Sequence, residues 1–186
     1  MGGCFKGLVL VVAILIFLGA GAFWFLSRPP EAAQQLTPVA VSSAAAVSFD
    51  QKIATLQAAP APVTVEITEQ EATSKLVATL ATEPNLPKIE NPQMAFRGGK
   101  VILSGVSHDA PIPITVVVTG RVEAHDGKIV TTVERIDTGR FPLPSAMQAQ
   151  ITDLATDTDR LNEGLPIAVN EVRVLDGRLV LTGQPK

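Results

Sequence analysis

The sequence predicts an α+β protein in which an antiparallel sheet of β-hairpins packs on two helices, preceded by one transmembrane helix. Three observations support this fold class. An apolar run extends from Leu8 to Leu26, a sequence motif recurs at an offset of 78 residues, and three glycine-containing turns separate strands of alternating apolar and polar residues. The run indicates a membrane location, and the repeat with its turns indicates the architecture of the rest of the chain.

The apolar run from Leu8 to Leu26 has the length of a membrane-spanning helix. At ~1.5 Å per residue it reaches about 28 Å, close to the thickness of a bilayer's hydrocarbon core. A cleaved signal peptide is the alternative, because the triplet Ala20-Gly21-Ala22 has the small-x-small pattern that signal peptidase recognises. We favour a retained signal anchor, since apolar residues continue beyond this triplet to Leu26.

Topology rules favour a single-pass protein with its N-terminus in the cytoplasm. Lys6 and Arg28 flank the run on its two sides, so the flanking charges alone do not orient it. Long C-terminal domains cross the membrane largely regardless of their charge, so the short N-terminal tail is the part that stays inside. We expect residues 1–7 in the cytoplasm, residues 8–26 in the plasma membrane, and the rest outside the cytoplasm.

Charge and cysteine content exclude several classes of function. All 18 acidic residues lie beyond Pro30, together with all but two of the 15 basic residues. The net charge of the exported part is therefore more negative than the −3 of the whole chain. Nucleic-acid binding requires clustered Lys and Arg, so no nucleic-acid partner is expected. The single cysteine, Cys4, precedes the apolar run, and the exported part must be stable without a disulfide.

The exported part divides by composition into three segments. Residues 27–47 are rich in Pro, Ala, Gln and Ser and predict a flexible linker. Residues 48–62 predict a short helix, with Ser48 as N-cap and Gln51 completing a capping box, followed by a proline-rich connector. Residues 63–186 remain as one extracytoplasmic α+β domain.

This domain contains an internal repeat. The segment from Phe96 to Gly105 aligns with that from Val174 to Gly183 at the offset of 78 residues, and the same offset relates the starts of two predicted helices. Each half therefore contains a helix followed by a hairpin, and a longer hairpin with its apolar residues on one face joins the two halves.

Turn chemistry predicts the register of the hairpins. The pairs Gly98-Gly99, Asp126-Gly127 and Asp176-Gly177 suit two-residue type I′ turns, which need positive φ angles. Closure by two residues pairs Phe96 with Val101 and Met94 with Leu103, and in the second copy it pairs Val174 with Leu179 and Val172 with Leu181. Four apolar residues then share one face of each hairpin.

Two helices are predicted to cover the apolar face of the sheet. The first has Thr68 as N-cap and Glu71 in a capping box, and it buries Ala72, Leu76, Val77 and Leu80. The second begins at Ser145 and places Met147, Ile151, Leu154 and Leu161 on one stripe.

The sequence contains no recognisable catalytic motif. His108 and His125 have no Cys or carboxylate at a metal-ligand spacing, and the chain lacks both a Gly-x-Ser-x-Gly elbow and a phosphate-binding glycine loop. We therefore expect no enzymatic activity, no metal and no cofactor.

Residues 63–183 resemble the YpmS-type and LmeA-type families of bacterial membrane-anchored or exported envelope proteins, which are related in shape to the tubular lipid-binding fold. The resemblance rests on short motifs: Thr-Val-Glu-Ile-Thr-Glu-Gln-Glu at 64–71, the Gly-Gly hairpin ending in Leu103-Ser104-Gly105, Asp126-Gly127-Lys128, Gly139-Arg140-Phe141-Pro142-Leu143-Pro144, and Asp176-Gly177-Arg178-Leu179-Val180-Leu181-Thr182-Gly183. It implies a strongly curved sheet, an apolar groove for acyl chains, and phospholipid binding in the bacterial envelope.

The sequence adds one observation in favour of lipid binding. Ile102, Val117 and Val180 are apolar on the strand face opposite to the core residues, and aliphatic surface suits acyl chains. An ordinary preference for strands, or contacts with the linker, would explain these residues equally well. The predicted groove between sheet and helices is lined by Leu76, Leu80, Ile114, Val116, Val118, Ile151 and Leu154.

Two functions therefore remain open. One is an anchored domain that binds phospholipid or another acyl lipid in the groove, without catalysis. The other is an anchored interaction module that scaffolds an envelope protein by adding a strand at a sheet edge. A lipid carrier needs an apolar cavity, whereas a scaffold needs an exposed surface.

The retained-anchor topology makes Cys4 a test residue. On intact cells Cys4 should resist an impermeant thiol reagent, because it lies on the cytoplasmic side, and it should react after permeabilisation. Labelling is read by mass spectrometry of the purified protein. A mature N-terminus at Phe23 would contradict the anchor and favour the signal peptide.

Overall fold

The structure is a computed structural model that describes residues 30–34, 36–57, 59–82, 88–108, 113–139, 145–163 and 165–186. Within these ranges the helices are α1 (Glu31–Gln34), α2 (Ser43–Thr55), α3 (Glu69–Thr82), α4 (Ser145–Thr156) and α5 (Thr158–Asn162). The strands are β1 (Val63–Thr68), β2 (Ile89–Arg97), β3 (Lys100–Ser107), β4 (Ile114–His125), β5 (Lys128–Asp137), β6 (Ile167–Leu175) and β7 (Arg178–Pro185). The predicted α+β class is confirmed.

The strands form two antiparallel sheets instead of the single sheet that was expected. One has the order β1-β7-β6 and the other the order β2-β3-β4-β5. Strand β6 contacts β4 and β5, and the Val169 N–H donates a hydrogen bond of 2.8 Å to the Gly127 carbonyl. The division arises because β6 meets the other sheet at the β4–β5 turn and does not pair along a strand. The strong curvature that the resemblance implies stays a prediction.

The predicted hairpin register is confirmed. Phe96 pairs with Val101 and Met94 with Leu103 in the β2–β3 hairpin. The equivalent pairs of the β6–β7 hairpin, Val174 with Leu179 and Val172 with Leu181, are also present. Local turn chemistry and the alternation of apolar residues were sufficient to predict these pairs.

The third turn differs from the type I′ geometry that was predicted for it. Gly98, Gly99, Asp126 and Gly127 have positive φ, but at Asp176-Gly177 positive φ occurs at the glycine alone. Tertiary hydrogen bonds hold this turn: the Gly98 N–H donates to Asp176 Oδ1 at 2.9 Å, and the Gly177 N–H donates to the Phe96 carbonyl at 3.0 Å. The hairpin turns of the two repeats therefore dock on each other.

The capping box at the start of α3 is confirmed. The Thr68 N–H donates to Glu71 Oε2 at 2.9 Å, and the Glu71 N–H donates to Thr68 Oγ1 at 3.2 Å. The predicted start of the preceding helix at Ser48 is wrong, since α2 begins at Ser43 and is capped by Ser42, whose Oγ accepts the Ala45 N–H. The cause is that alanines 44–46 extend the helix, while Ser48 donates a hydrogen bond to α3 instead.

Glu71 holds α2 and α3 together. Its buried carboxylate accepts hydrogen bonds from Ser48 Oγ at 2.6 Å and Lys52 Nζ at 2.8 Å, in addition to those from Thr68. Burial raises the pKa of Glu71, but the hydrogen bonds from Lys52, Ser48 and Thr68 outweigh it and lower the pKa from 4.5 to about 2. The group is thus charged at neutral pH.

The core lies between the three-stranded sheet and the turn-proximal half of the four-stranded sheet. Apolar residues of α2, β1, β6 and β7 meet Phe96 of β2, which is 1 % exposed. The buried members are Leu56, Val63, Val65, Ile67, Ala72, Phe96, Ile167, Val169 and Leu181. Of the predicted α3 residues, Ala72 is buried, whereas Leu76, Val77 and Leu80 are half-buried.

The helices follow the edges of the four-stranded sheet and do not cover its apolar face as predicted. Thr73 of α3 accepts the Met94 N–H at 3.0 Å and donates to the Met94 carbonyl at 3.2 Å, and Glu69 accepts the Phe96 N–H at 2.7 Å. At the opposite edge, the Asn162 side chain accepts from the Ile129 N–H and donates to the Ile129 carbonyl, both at 2.8 Å. Unpaired strand edges require partners, and these side chains supply them.

Within the described residues, no helix has the length and hydropathy needed to span a bilayer. The apolar run at residues 8–26 lies outside those residues, as does the predicted cytoplasmic tail.

Leu181 provides a test of the core. Replacement of Leu181, which is 2 % exposed, by Asp should lower the free energy of unfolding by about 3 kcal/mol or more, because it buries a carboxylate without a partner. The matched change Leu175→Asp, at a residue that is 37 % exposed, should shift it by less than about 1 kcal/mol. Urea denaturation measures both, and equal effects would contradict the described core.

Glu71 provides a test of the contact between α2 and α3. Because its folded pKa of about 2 lies below the ordinary 4.5, its stabilising contribution is present above pH 4.5 and is lost as the pH falls toward 2. Glu71→Gln should remove about 2 kcal/mol of stability at pH 7 and flatten this part of the stability curve. Thermal melting from pH 7 to pH 2 measures it, with the exposed Glu123→Gln as control. An unchanged acid limb in Glu71→Gln would contradict the assignment.

Candidate functional site

A row of half-buried apolar residues crosses the four-stranded sheet. Met94, Leu103, Val118 and Ile136 are directly paired from β2 to β5, so their side chains share one face, here called the inner face. All four are half-buried. Across three strand spacings this apolar band is about 14 Å wide. It therefore forms an aliphatic surface that the described structure leaves partly open.

The band lies toward one end of the sheet. Phe96, one paired row nearer the turns, belongs to the buried core. In the other direction, the sheet ends at Ile89, Ser107, Ile114 and Asp137, and we call this the loop end. On the inner face, the band therefore lies between the core and the loop end.

The structure separates six of the seven predicted lipid-contact residues into three groups. Val118 lies in the band, whereas Ile114 and Val116 are buried in the rows beside it, at 4 % and 8 % exposure. Leu76 and Leu80 are half-buried on α3, at the β2 edge, and Ile151 is half-buried on α4, which contacts β5. The side chain of Leu154 is outside the described set. The predicted residues therefore surround the inner face from both edges, and they do not converge on one point.

Sequence reasoning missed Met94, Leu103 and Ile136 as candidate contacts. The predicted register places the first two on the correct face, but it gives no indication that they are only half-buried. That information depends on where the helices lie, and α3 lies at the edge of the sheet, beside Met94 and Phe96.

The opposite, outer face of the sheet is covered by the segment before α2. Residues 30–42, here called the strap, contain α1, which contacts β4. The Val39 N–H donates a hydrogen bond of 2.9 Å to Gln93 Oε1 on β2. Gln93, Ser104 and Val117 form one paired row on this face, and Val117 is 1 % exposed. The buried Val117 thus lies on the face that the strap contacts, and the predicted linker is bonded to the domain at Val39 and is not a free tether there.

A second candidate surface is an open groove between α2 and β1. It has a volume of about 380 Å³ and is lined by Lys52, Thr55, Leu56, Ala59, Val63, Thr64, Val65 and Glu66. Its base consists of core residues, and Lys52 lies at its rim, where Nζ donates to the Glu66 carbonyl at 2.7 Å. Sequence reasoning missed this groove, because it depends on where the loop after α2 directs the chain.

The buried side-chain N and O atoms of the described residues all have hydrogen-bond partners. The buried Glu69 pairs with the Arg97 guanidinium and accepts the Phe96 N–H. His108 is exposed and pairs with Glu90 at 2.7 Å, and the exposed His125 lies 3.3 Å from Asp126. Among the described residues, no three His, Cys, Asp or Glu side chains are arranged to hold a metal ion. The band itself offers apolar contact area across four strands.

One protein-family model matches most of this chain. A family model described as LmeA-like phospholipid-binding matches residues 27–184. The chain belongs to the LmeA-like phospholipid-binding family. Membership confirms the LmeA-type resemblance, and the match includes the strap as well as both repeats. Comparison with curated proteins and with solved structures gives no significant match.

Proposed function

We propose that this member of the LmeA-like family is a membrane-anchored, extracytoplasmic domain that binds phospholipid or another acyl lipid without catalysis. The acyl chain lies in an apolar groove whose floor is the band Met94, Leu103, Val118 and Ile136. The observation that carries the proposal is this half-buried aliphatic row, found in a chain of a phospholipid-binding family.

The chemistry of the band suits an acyl chain. Such a chain forms no hydrogen bonds and gains about 0.8 kcal/mol for each methylene that it buries. The band has no polar side chain across its four strands. A contact with several methylenes across about 14 Å is therefore sufficient for binding without a specific headgroup site.

We assign each predicted residue a place in this groove. Leu76 and Leu80 form the wall on the β2 side and Ile151 belongs to the β5 side, where Leu154 also stays a candidate. Ile114 and Val116 support the band from the buried rows toward the loop end. The membrane location proposed for the domain is the bacterial plasma membrane, with residues 8–26 as a single-pass anchor and the domain outside the cytoplasm.

The α2–β1 groove supports the second function, an interaction module for an envelope protein. Strand β1 is an edge of the three-stranded sheet, and the groove beside it is open. An extended segment of a partner would add a strand there. Lys52 beside the Glu66 carbonyl is also a device that protects an edge from such pairing, so we prefer the lipid function.

Two substitutions, each of which enlarges one side chain, distinguish lipid binding at the band from lipid binding in the α2–β1 groove. Val118→Phe should reduce the phospholipid retained by purified residues 30–186 severalfold, because the added ring occupies the space of the acyl chain. The melting temperature should change by no more than about 4 °C, since an open surface accommodates the ring. Mass spectrometry of extracted lipids and thermal melting provide the two measurements.

Thr55→Phe is the matched control, since it places the same ring in the α2–β1 groove, which Thr55 lines. It should leave retained lipid unchanged. Loss of lipid in Thr55→Phe alone would move the site to that groove. Lipid-free wild-type protein, with strong destabilisation by Val118→Phe, would contradict lipid binding at the band and favour the interaction module.

A further inference from the structure

The side chain of Ile89, the first residue of β2, lies on the inner face of the sheet beside the band. A β-bulge between Glu90 and Gln93 separates Ile89 from the rest of its strand. Gly105 of β3 is two residues from Leu103 of the band, so a Cβ on it would point to the inner face. Such a Cβ would overlap Ile89 Cγ2. Ile89 therefore occupies space on the inner face that is open because position 105 is a glycine.

The internal repeat contains this arrangement twice. At the offset of 78 residues, Ile89 corresponds to Ile167 and Gly105 corresponds to Gly183. A Cβ on Gly183 would lie 3.1 Å from Ile167 Cδ1, and a β-bulge interrupts β6 as well. Ile167 is 1 % exposed and belongs to the core, whereas Ile89 is half-buried. The first copy thus leaves part of the isoleucine surface available to a ligand.

Ile89 and Phe96 border the band on opposite sides. Phe96 is paired with Val101, two residues from the band along β3, and Gly105, which Ile89 covers, is two residues from the band in the other direction. The two bordering rows are therefore four residues apart, or about 13 Å. Carbon atoms pack at about 4 Å, so one acyl chain between two walls takes about 8 Å and two chains take about 12 Å. Because the side chains of the walls occupy part of the 13 Å, the band has room for one chain.

We propose that Ile89 restricts the groove to a single acyl chain, and that the domain prefers lipids with one chain, such as a lysophospholipid, to lipids with two. This inference rests on the proposed function and names the class of lipid that the same site takes. A single chain is buried along its contact with the band. The second chain of a diacyl lipid stays outside the groove, where its methylenes forgo the gain of burial.

Ile89→Ala should remove this restriction. Gly105 has no side chain of its own, so loss of the isoleucine opens the neighbouring row of the inner face to a ligand. The added width is about 7 Å, and a second acyl chain needs only about 4 Å more than the first. The preference for a lipid with one chain should therefore fall.

Photocross-linking in the full chain tests the preference. The protein is inserted into phosphatidylcholine vesicles that contain lysophosphatidylglycerol and diacyl phosphatidylglycerol, each with a diazirine in one acyl chain. Peptide mass spectrometry measures the adducts of each lipid on β3 and β4, which carry Leu103 and Val118. After normalisation to the amounts of the two lipids in the vesicles, wild-type adducts of the one-chain lipid should exceed those of the diacyl lipid severalfold. In Ile89→Ala this ratio should fall severalfold.

Two further variants separate the role of Ile89 from a general effect on folding. Ile89→Val removes one methylene and should lower the ratio in the same direction by a smaller factor. Val106→Ala is the matched control, because Val106 is also half-buried, follows Gly105 on β3 and lies on the outer face. It should leave the ratio unchanged. Thermal melting checks the fold of each variant, and Ile89→Val decides the test if Ile89→Ala does not unfold cooperatively.

The outcomes distinguish this inference from the proposed function. A wild-type ratio near one, with adducts of both lipids on β3 and β4, would keep lipid binding at the band and overturn the restriction to one chain. A wild-type preference that the folded Ile89 variants retain would overturn the role of Ile89. Wild-type protein without adducts of either lipid on these strands would reject the proposed function, and this inference with it.

Discussion

The architecture depends on how the free edge of β2 is satisfied. An edge strand presents unpaired N–H and carbonyl groups, and α3 supplies partners for them through Thr73 and Glu69. Glu69 is buried, and it also pairs with the Arg97 guanidinium, so the edge bond is charge-assisted. Because these short side chains must reach the backbone of β2, the helix has to lie beside the strand. The inner face of the sheet is then not covered by α3, and the apolar band results from that placement.

Buried carboxylates at the start of α3 have a second consequence for the fold. Glu69 faces β2, whereas Glu71, two residues later, faces α2 through Ser48 and Lys52. One helical turn thus holds both the sheet on one side and the preceding helix on the other. Since the strap leads directly into α2, the position of the strap also depends on this turn.

Local chemistry explains which parts of the fold were predictable. The hairpins were correct in register because two-residue turns and alternating apolar residues act within about ten residues of each other. The capping box of Thr68 and Glu71 was predictable for the same reason. The edge position of the helices was not predictable, since it depends on bonds such as that from the Met94 N–H to Thr73, between residues 21 positions apart.

For the candidate site, Val118 could be selected because of the strand face on which it lies. The exposure of Met94 and Ile136, however, depends on that same placement of the helices. The start of α2 and the packing of the strap were missed because composition describes average solubility and does not reveal contacts such as that between Val39 and Gln93.

The order of strands in the smaller sheet has a consequence for the timing of folding. Strand β1 pairs with β7, and Thr64 and Thr182, which face each other, are 118 residues apart in the chain. During synthesis β1 is therefore made long before its partner, and a contact so distant in sequence forms slowly because the intervening loop must close first. Until β7 arrives, Val65 and Ile67 have no neighbouring strand to pair with. The chain therefore cannot complete its core until β7 has been synthesised.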